Sequence, residues 1–450
     1  MTWHVVCRIE EEEDSFELTL REEDRCVEVW VDSLLKPEAV GSNVWRVLSR
    51  NALQPTQPAV DLYRMATAVF AADLRIPRIS GFDRWTRDIM LHLPVSSVGL
   101  WENAEEPLRK LLSFLTGDHW RISLRKSGDS RPSTDSNLLD QGQPVESSAV
   151  CLLSGGLDSF IGAVDALAAG ENLALVSHYA GGKATYSVPA QDAVRGKLAA
   201  EYGDDRSTHL KFRVDPPKLL TGEWEPTTRS RSIIFFGLGI LVASALGEDT
   251  LLLVPENGLI SLNVPLTYSR LGSLSTRTTH PHTMAVLREV ISALGVNVRL
   301  DNPYLIKTKG EMLEDTAKEV LVRSSIKFTM SCAHPTAGRF AGGEGSGIRH
   351  CGYCVPCIIR RAALAKIGMD PLEEYRIDVT GSRPITKRQL EDLRAFLIAV
   401  EQARNGVGVR DLLRAGPLRP NPDELKQHLG VYFRGLDEVA RLLTGRGVNH

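Results

Sequence analysis

Short apolar segments alternate with helical patterns between residues 150 and 322, and this alternation limits the fold more than any other feature. The apolar segments predict strands at 150–153, 173–177, 209–214, 250–254 and 296–300. Apolar residues at helical spacing predict helices that begin near 159, end near 198, and span 232–246, 284–294 and 309–322. Apolar strands that alternate with helices are typical of a parallel sheet covered on both faces. We therefore predict an α/β fold.

The regions on either side of this alternating part have different patterns. Segments 16–20 and 27–31 alternate apolar and polar residues and predict two strands of a half-exposed hairpin or small sheet; helices (61–72, 108–115) and strands (89–95, 120–124) follow. The polar segment 127–136 is rich in turn residues and is a predicted linker. These patterns divide the 450 residues into an α+β N-terminal domain (1–140), a sheet domain (141–375) and a helical C-terminal segment (376–450).

Composition and charge argue against several classes of protein. Lys and Arg total 53 against 56 Asp and Glu, so a net charge of −3 provides no overall field for strong nucleic-acid binding. No apolar run is long enough for a membrane span, and the N-terminus lacks the pattern of a signal peptide. Seven cysteines, three of them between 351 and 357, favour a metal site in a reducing cytoplasm over a disulfide framework.

The residues Ser154-Gly155-Gly156-Leu157-Asp158-Ser159, called here the serine–glycine loop, lie where the first strand of the alternating region turns into its helix. Ligands of open parallel sheets bind beyond the carboxyl ends of the strands. The glycines allow close approach of the backbone, its N–H groups and the helix dipole favour an anion, and the serine hydroxyls can donate to phosphate oxygens. The loop is therefore a candidate phosphate site, and it differs from a Walker loop because no lysine follows its glycines.

Asp158 needs a separate explanation within this loop, because a carboxylate repels a phosphate. Two roles are open for it. It can hold the loop in place, or it can bind a Mg²⁺ ion that bridges it to the phosphates.

Four cysteines form the second candidate site. Cys351, Cys354 and Cys357 are closely spaced, and Cys332 lies upstream. Four thiolates can complete a tetrahedral zinc site with no open position for water, which predicts a structural Zn²⁺ ion. Dithiol redox chemistry and buried structural thiols are the alternatives.

A long polar segment, Glu256 to His280, follows the predicted strand 250–254 and so lies at the carboxyl edge of the sheet. Loops of this length in compact domains are often functional; the alternative is a long surface loop whose polar residues bond to one another. Arg270 and Arg277 are candidates to hold a carboxylate or the phosphates of a nucleotide, because the guanidinium group suits both. His280 can move a proton near neutral pH, or it can be a histidine at a helix start that bonds to the backbone.

The serine–glycine loop resembles the motif of the PP-loop ATP pyrophosphatases, which cleave ATP between the α and β phosphates. Together with the pattern Cys…Cys-Gly-x-Cys-x-x-Cys-x-x-Arg, which ends here at Arg360, the sequence resembles the 7-cyano-7-deazaguanine synthases (QueC). The resemblance implies a HUP-type, Rossmann-like sheet with ATP and Mg²⁺ at the loop and Zn²⁺ on the four cysteines. It also implies that a small-molecule carboxylate is adenylated, that pyrophosphate leaves, and that a nitrogen nucleophile then displaces AMP.

The same resemblance suggests two further site residues. Arg231, before a long apolar helix, matches the arginine of the family's Arg-Asn, although Ser232 replaces the asparagine. Lys309 lies in Thr308-Lys309-Gly310-Glu311, which is similar to the family's Thr-Lys-x-Glu. The family's Tyr-Pro-Asp-Cys-Arg segment is absent, and Pro255-Glu256-Asn257-Gly258 stands in its place.

The extended N-terminal region and the Arg-Thr-Thr-His-Pro sequence at 277–281 resemble the QueC-like QatC proteins of the Qat antiphage defence systems. This resemblance implies a partner protein encoded in the same operon (QatB-like), and the nitrogen acceptor is then ammonia or an amine of that partner. We expect the N-terminal domain to bind the partner, because its segment Phe82 to Arg87 combines arginine with large aromatic residues, which are enriched at protein interfaces; the alternative is that this domain covers the sheet.

Two other functions are consistent with a PP-loop. A tRNA-modifying enzyme of this superfamily needs a large basic surface, which the net charge disfavours. An ATP-binding regulatory subunit without turnover is the other alternative. We do not expect an asparagine synthetase, which has the same loop, because Thr2 is no substitute for its N-terminal cysteine nucleophile.

Overall fold

A computed structural model of the chain describes residues 1–9, 16–33, 36, 38–127, 144–180, 187–217, 225, 229–266, 277–336, 349–381, 386–387, 389–406 and 408–444. Within these ranges the chain forms ten strands and fourteen α-helices. The mixed α/β fold with a parallel sheet is confirmed. The predicted linker after Ser127 and Arg270 of the long polar segment lie outside the described residues.

The N-terminal region forms a four-stranded sheet with the order β2-β1-β4-β5, and all its strands are parallel. Its strands are β1 (Trp3–Ile9), β2 (Arg25–Val31), β4 (Asp88–Val95) and β5 (His119–Lys126). The two-residue strand β3 (Gly41–Ser42) belongs to the second sheet. Three helices complete the region: α1 (Val44–Arg50), α2 (Gln57–Arg75) and α3 (Val98–Thr116).

Of the hairpin or small sheet predicted for residues 16–20 and 27–31, the hairpin is wrong, whereas 27–31 lies in a small sheet as part of β2. Residues 16–20 are not a strand, and β2 pairs in parallel with β1, with Trp3 opposite Arg25. Alternation in β2 buries Val27, Val29 and Val31, but alternation does not identify the partner strand. The wholly parallel arrangement also makes this region α/β in character, where the sequence pattern suggested α+β.

The second sheet has the order β10-β9-β6-β7-β8-β3, and its strands are parallel except for β3, which is antiparallel to β8. Its other strands are β6 (Ala149–Leu152), β7 (Leu173–Tyr179), β8 (Ser207–Asp215), β9 (Thr250–Leu253) and β10 (Val298–Asp301). The helices of this region are α4 (Leu157–Ala168), α5 (Ser187–Tyr202), α6 (Arg231–Leu246), α7 (Gly258–Leu262), α8 (Pro281–Ala293), α9 (Lys309–Asp315) and α10 (Glu319–Ser325).

Two apolar cores cover the two faces of the second sheet. One core joins α6 to α2 and continues into the N-terminal sheet, and the other packs α4, α9 and α10 against the opposite face. The contact of α6 with α2 is close, since a Cβ atom on Gly237 would lie 2.9 Å from the Cβ atom of Ala66. The N-terminal region therefore covers one face of the second sheet through α2 and extends its edge through β3.

A third core joins the C-terminal helices to the sheet. It contains α11 (Val355–Lys366), α12 (Glu391–Arg404), α13 (Val409–Leu412) and α14 (Pro422–Thr444), together with Leu259 and Leu262 of α7. Among the described residues, none of the helices combines the length and the apolar character that crossing a membrane requires.

Candidate functional site

The serine–glycine loop connects the carboxyl end of β6 to α4, and hydrogen bonds of its own residues close it. Gly155 has a φ of 83°, and a Cβ atom there would lie 3.0 Å from the backbone nitrogen of Gln191, so only glycine suits this position. The N–H of Gly156 donates to Oγ of Ser154 (3.2 Å), and the Oγ atoms of Ser154 and Ser159 are 3.1 Å apart. Ser154 is an exposed residue between the end of β6 and the start of α4.

The segment 330–332 binds the other side of this loop. The backbone N–H of Met330 donates to the carbonyl of Gly155 (2.8 Å), and Oγ of Ser331 accepts from the N–H of Leu157 (3.1 Å). Cys332 follows directly, so the loop and the cysteine cluster are adjacent in the fold although about 175 residues separate them in sequence. Ser331 is a contact that the sequence analysis missed.

Asp158 is buried at the first turn of α4, where an ion pair and hydrogen bonds hold its carboxylate. Nζ of Lys309 lies 2.7 Å from Oδ1. Oδ2 accepts from the side-chain nitrogen of Asn257 (2.7 Å) and from its backbone N–H (3.2 Å). These contacts fit the role of Asp158 as an anchor of the loop, one of the two roles that the sequence left open.

The two partners of Asp158 come from helix starts that the sequence specifies locally. Asn257 follows β9 and caps α7, since its Oδ1 accepts from the N–H of Ile260 (3.1 Å). Thr308 and Glu311 form a capping box at α9, which fixes Lys309 as the first residue of that helix. The sequence Thr-x-x-Glu is a recognised signal of a helix start, whereas nothing local to Asn257 indicates Asp158 as its partner.

Glu256 lies beside these residues at the carboxyl end of β9. The hydroxyl of Thr279 donates to its carboxylate, and the side-chain nitrogen of Asn302 donates to its backbone carbonyl (2.9 Å). Burial raises the pKa of Glu256 to about 7; the negative charge of Asp158 adds to this effect, while Thr279 and Lys309 oppose it. Glu256 is therefore a carboxyl group that can hold or release a proton near neutral pH.

The four cysteines predicted as metal ligands come together. The Sγ atoms of Cys332, Cys351, Cys354 and Cys357 all lie within 4.8 Å of one another, and none of the four is in a disulfide. Zn–S bonds of about 2.3 Å in a tetrahedron place sulfur atoms about 3.8 Å apart, and Cys351 and Cys357 have that separation, 3.8 Å. The cluster could thus hold a metal such as zinc.

Backbone groups support the same donor set. Sγ of Cys332 accepts from the N–H of Cys351 (3.2 Å) and of His334 (3.3 Å). Hydrogen bonds from the other three thiols also lower the pKa of Cys332, which favours its thiolate form. All four sulfurs converge, so the set leaves no position for a water ligand and fits a structural ion.

The remaining predicted residues, Arg231, Arg277 and His280, lie elsewhere in the described part of the chain. Arg231 begins α6 and contacts the ring of Phe235, with its guanidinium carbon 5.5 Å from the ring centroid. Arg277 packs on the ring of Phe114 at 4.5 Å, and its Nη1 donates to the carbonyl of Phe114 (3.0 Å). These contacts show no direct bond of Arg231 or Arg277 to Asp158.

His280 caps α8, as the alternative interpretation of this residue expected. Its Nδ1 accepts from the N–H of His282 (3.1 Å), and burial together with Arg277 lowers its pKa to about 3. The imidazole is therefore neutral near pH 7. Thr279, the preceding residue, is the one that reaches the Asp158 site, through its bonds to Glu256 and to Ser261 (2.8 Å).

Comparison with known proteins adds no assignment. No family model, curated protein or solved structure matches the chain.

Proposed function

We propose that the chain is an ATP-dependent, AMP-forming enzyme of the QueC-like PP-loop class, acting in the cytoplasm as part of an antiphage defence system of the Qat type. The observation that supports this proposal most is that Lys309 and Asn257 both bind the carboxylate of Asp158 in the serine–glycine loop. The loop, α7 and α9 start from the carboxyl side of the sheet, where ligands of this architecture bind. The adjacent cysteine cluster is the second feature of that class.

In the proposed first step, an oxygen of the substrate carboxylate attacks the α phosphorus of ATP, and the bond from that phosphorus to the bridging oxygen of pyrophosphate breaks. The chain contributes backbone N–H groups at the start of α4 and the hydroxyl of Ser154, which is exposed. Positioning and electrostatic stabilisation supply most of the rate enhancement in such phosphoryl chemistry. Mg²⁺ neutralises charge on the pyrophosphate leaving group when it is bound with ATP.

In the proposed second step, a nitrogen nucleophile attacks the acyl carbon, AMP leaves, and the nitrogen loses a proton. The nucleophile is ammonia or an amine of a partner protein from the same operon. Glu256 is the proposed general base, because its pKa of about 7 suits acceptance of that proton near neutral pH. Cys332, Cys351, Cys354 and Cys357 would hold a Zn²⁺ ion in a structural role, because the ion would fix the segment 330–332 that contacts the loop.

The test is the release of AMP and pyrophosphate from ATP by the purified full chain, with candidate carboxylates and ammonium present. We expect Ser154→Ala to lower the release strongly, since this hydroxyl lies at the loop surface. Ser324→Ala is the matched control, because Ser324 is also exposed but bonds only within α10, to the carbonyl of Leu321 (3.0 Å).

The outcomes separate the proposal from its rivals. Binding of ATP without cleavage, with or without the partner, would favour the regulatory subunit. Equal release of pyrophosphate by Ser154→Ala and Ser324→Ala would show that the hydroxyl of Ser154 in the loop takes no part in the reaction. Salt-dependent binding of tRNA would favour the tRNA-modifying alternative.

A further inference from the structure

The C-terminal helix α14 packs against α7, which Asn257 caps and which therefore helps to hold Asp158. A Cβ atom on Gly258 would lie 2.9 Å from Cγ2 of Val431, and one on Gly435 would lie 2.7 Å from a methyl carbon of Leu259. The two helices are thus in direct contact at glycine positions, with no space for a larger side chain.

The same helix binds the start of α9 through a buried carboxylate. Glu438 accepts a hydrogen bond from the hydroxyl of Thr308, and its other oxygen accepts from the backbone N–H of Gly310 (3.3 Å). A Cβ atom on Gly310 would collide with this carboxylate. Thr308 and Gly310 flank Lys309, so Glu438 fixes the backbone on both sides of the lysine that pairs with Asp158.

Arg434, one turn before Glu438 on α14, binds the other member of the capping box. Its guanidinium group pairs with the carboxylate of Glu311 and donates to the carbonyl of Ile306 (2.8 Å). Glu311 in turn accepts from the N–H of Thr308 (2.8 Å). Both side chains that define the first turn of α9 are therefore held by residues four positions apart on α14.

A third element reaches the same carboxylate. Nζ of Lys366, at the end of α11, lies 3.2 Å from Glu438. The other end of α11 begins after Cys354, in the cysteine cluster. Glu438 thus joins α9, α11 and α14 at one buried point.

We propose that Glu438 is a positioning residue of the Asp158 site, acting through the start of α9 that carries Lys309. Its effect on ATP turnover rests on the proposed function, whereas its effect on the Asp158–Lys309 ion pair does not. The C-terminal segment, for which the sequence indicated no chemistry, then belongs to the site.

The experiment compares Glu438→Gln with Asp437→Asn in the full chain. Asp437 is the neighbouring residue on α14, and its side chain is 56% exposed and pairs with Arg441 within the helix. Two quantities are measured in the unsubstituted chain, in Glu438→Gln and in Asp437→Asn. One is the coupling of Asp158 and Lys309, from the stabilities of Asp158→Asn, Lys309→Met and the double variant. The other is the kcat and KM of pyrophosphate release.

We expect Glu438→Gln to lose half or more of the coupling and to lower kcat by about tenfold or more, since small displacements of a positioned group are costly. Asp437→Asn should change neither quantity. Unchanged coupling and kcat in Glu438→Gln, with only a lower melting temperature, would overturn the proposal. Absence of pyrophosphate release in the unsubstituted chain would refute the proposed function alone, and the coupling would still decide the role of Glu438.

A second pair of variants covers the case in which Glu438→Gln does not fold. Thr308→Val has a similar shape but lacks the hydroxyl that donates to Glu438, whereas Thr308→Ser keeps it. The Thr308 hydroxyl also accepts from the N–H of Glu311 in the capping box, so loss of coupling in Thr308→Val and its retention in Thr308→Ser support positioning of Lys309 by Glu438 together with the capping box. Equal coupling in the two variants would contradict it.

Discussion

The ion pair of Asp158 and Lys309 provides the sharpest quantitative test of the site. The two charged atoms are 2.7 Å apart, and the side chains are 10% and 3% exposed. At an effective dielectric constant of about 20, the attraction at this distance is about 6 kcal/mol before the desolvation of both ions is subtracted. Removal of one partner from a buried pair costs about 3–5 kcal/mol, because the other charge stays buried without its counter-charge.

We therefore expect Asp158→Asn and Lys309→Met each to lower the free energy of unfolding by about 3–5 kcal/mol. The double variant leaves no unpaired ion, so its loss should be smaller than the sum by about 2–3 kcal/mol. Urea denaturation is the appropriate assay, since guanidinium chloride is a salt and screens charge.

Lys307 and Asp315 supply the matched control for this cycle. Their charged atoms are 3.0 Å apart, but their side chains are 37% and 55% exposed, so a coupling of about 0–1 kcal/mol is expected. Additive losses for Asp158 and Lys309, or a coupling no larger than that of the control pair, would refute the description of Asp158 as an anchored, buried carboxylate.

Three further predictions concern the cysteine cluster, Glu256 and Gly162. The full chain should contain one zinc ion, and Cys354→Ser should lose it and melt at a lower temperature, as measured by elemental analysis and calorimetry; a disulfide among the four cysteines would contradict this. Because burial raises the pKa of Glu256 from 4.5 to about 7, the folded protein holds that proton more tightly, so stability should fall by up to about 3 kcal/mol as the pH rises through this interval. Urea titrations at several pH values should show this decline in the unsubstituted chain and a flatter profile in Glu256→Gln. Gly162→Ala should destabilise by about 1–3 kcal/mol because its Cβ atom would collide with Pro255, whereas Gly196→Ala, in a helix with open space around it, should stabilise by about 1 kcal/mol in the same assay.

The parallel sheet was predictable because its strands are apolar on both faces, a pattern that few other folds tolerate. The predicted helix 309–322 shows the limit of periodicity, since the chain forms α9 and α10 separately. Between them, the hydroxyl of Thr316 and the N–H of Ala317 donate to the carboxylate of Asp165 (2.7 and 2.9 Å). This partner lies about 150 residues away in sequence, and no local pattern reports a contact of that kind.

The candidate site divides along the same line. Three of the four cysteines lie close together in sequence, and so do the residues of the serine–glycine loop. The spacing within each set was therefore enough to predict that set as a candidate site. The contacts of Asp158 with Asn257 and of Thr308 with Glu438 join distant segments, and neither followed from the sequence. Lys309 was suggested by resemblance, and the structure adds its partner.

The sequence also left open whether the N-terminal region binds a partner or covers the sheet. Its helix α2 shares an apolar core with α6, and β3 extends the second sheet, so these residues cover the sheet as the alternative interpretation stated. Deletion up to residue 140 would expose the buried face of α6, and loss of a partner from such a fragment would not distinguish binding from unfolding.

Binding of a partner by the N-terminal region stays a prediction, and a substitution of an exposed residue is the appropriate test. Phe82 is 85% exposed, so Phe82→Ser leaves the shared core intact while it alters the segment expected to bind. A partner retained by this variant would place the interface elsewhere.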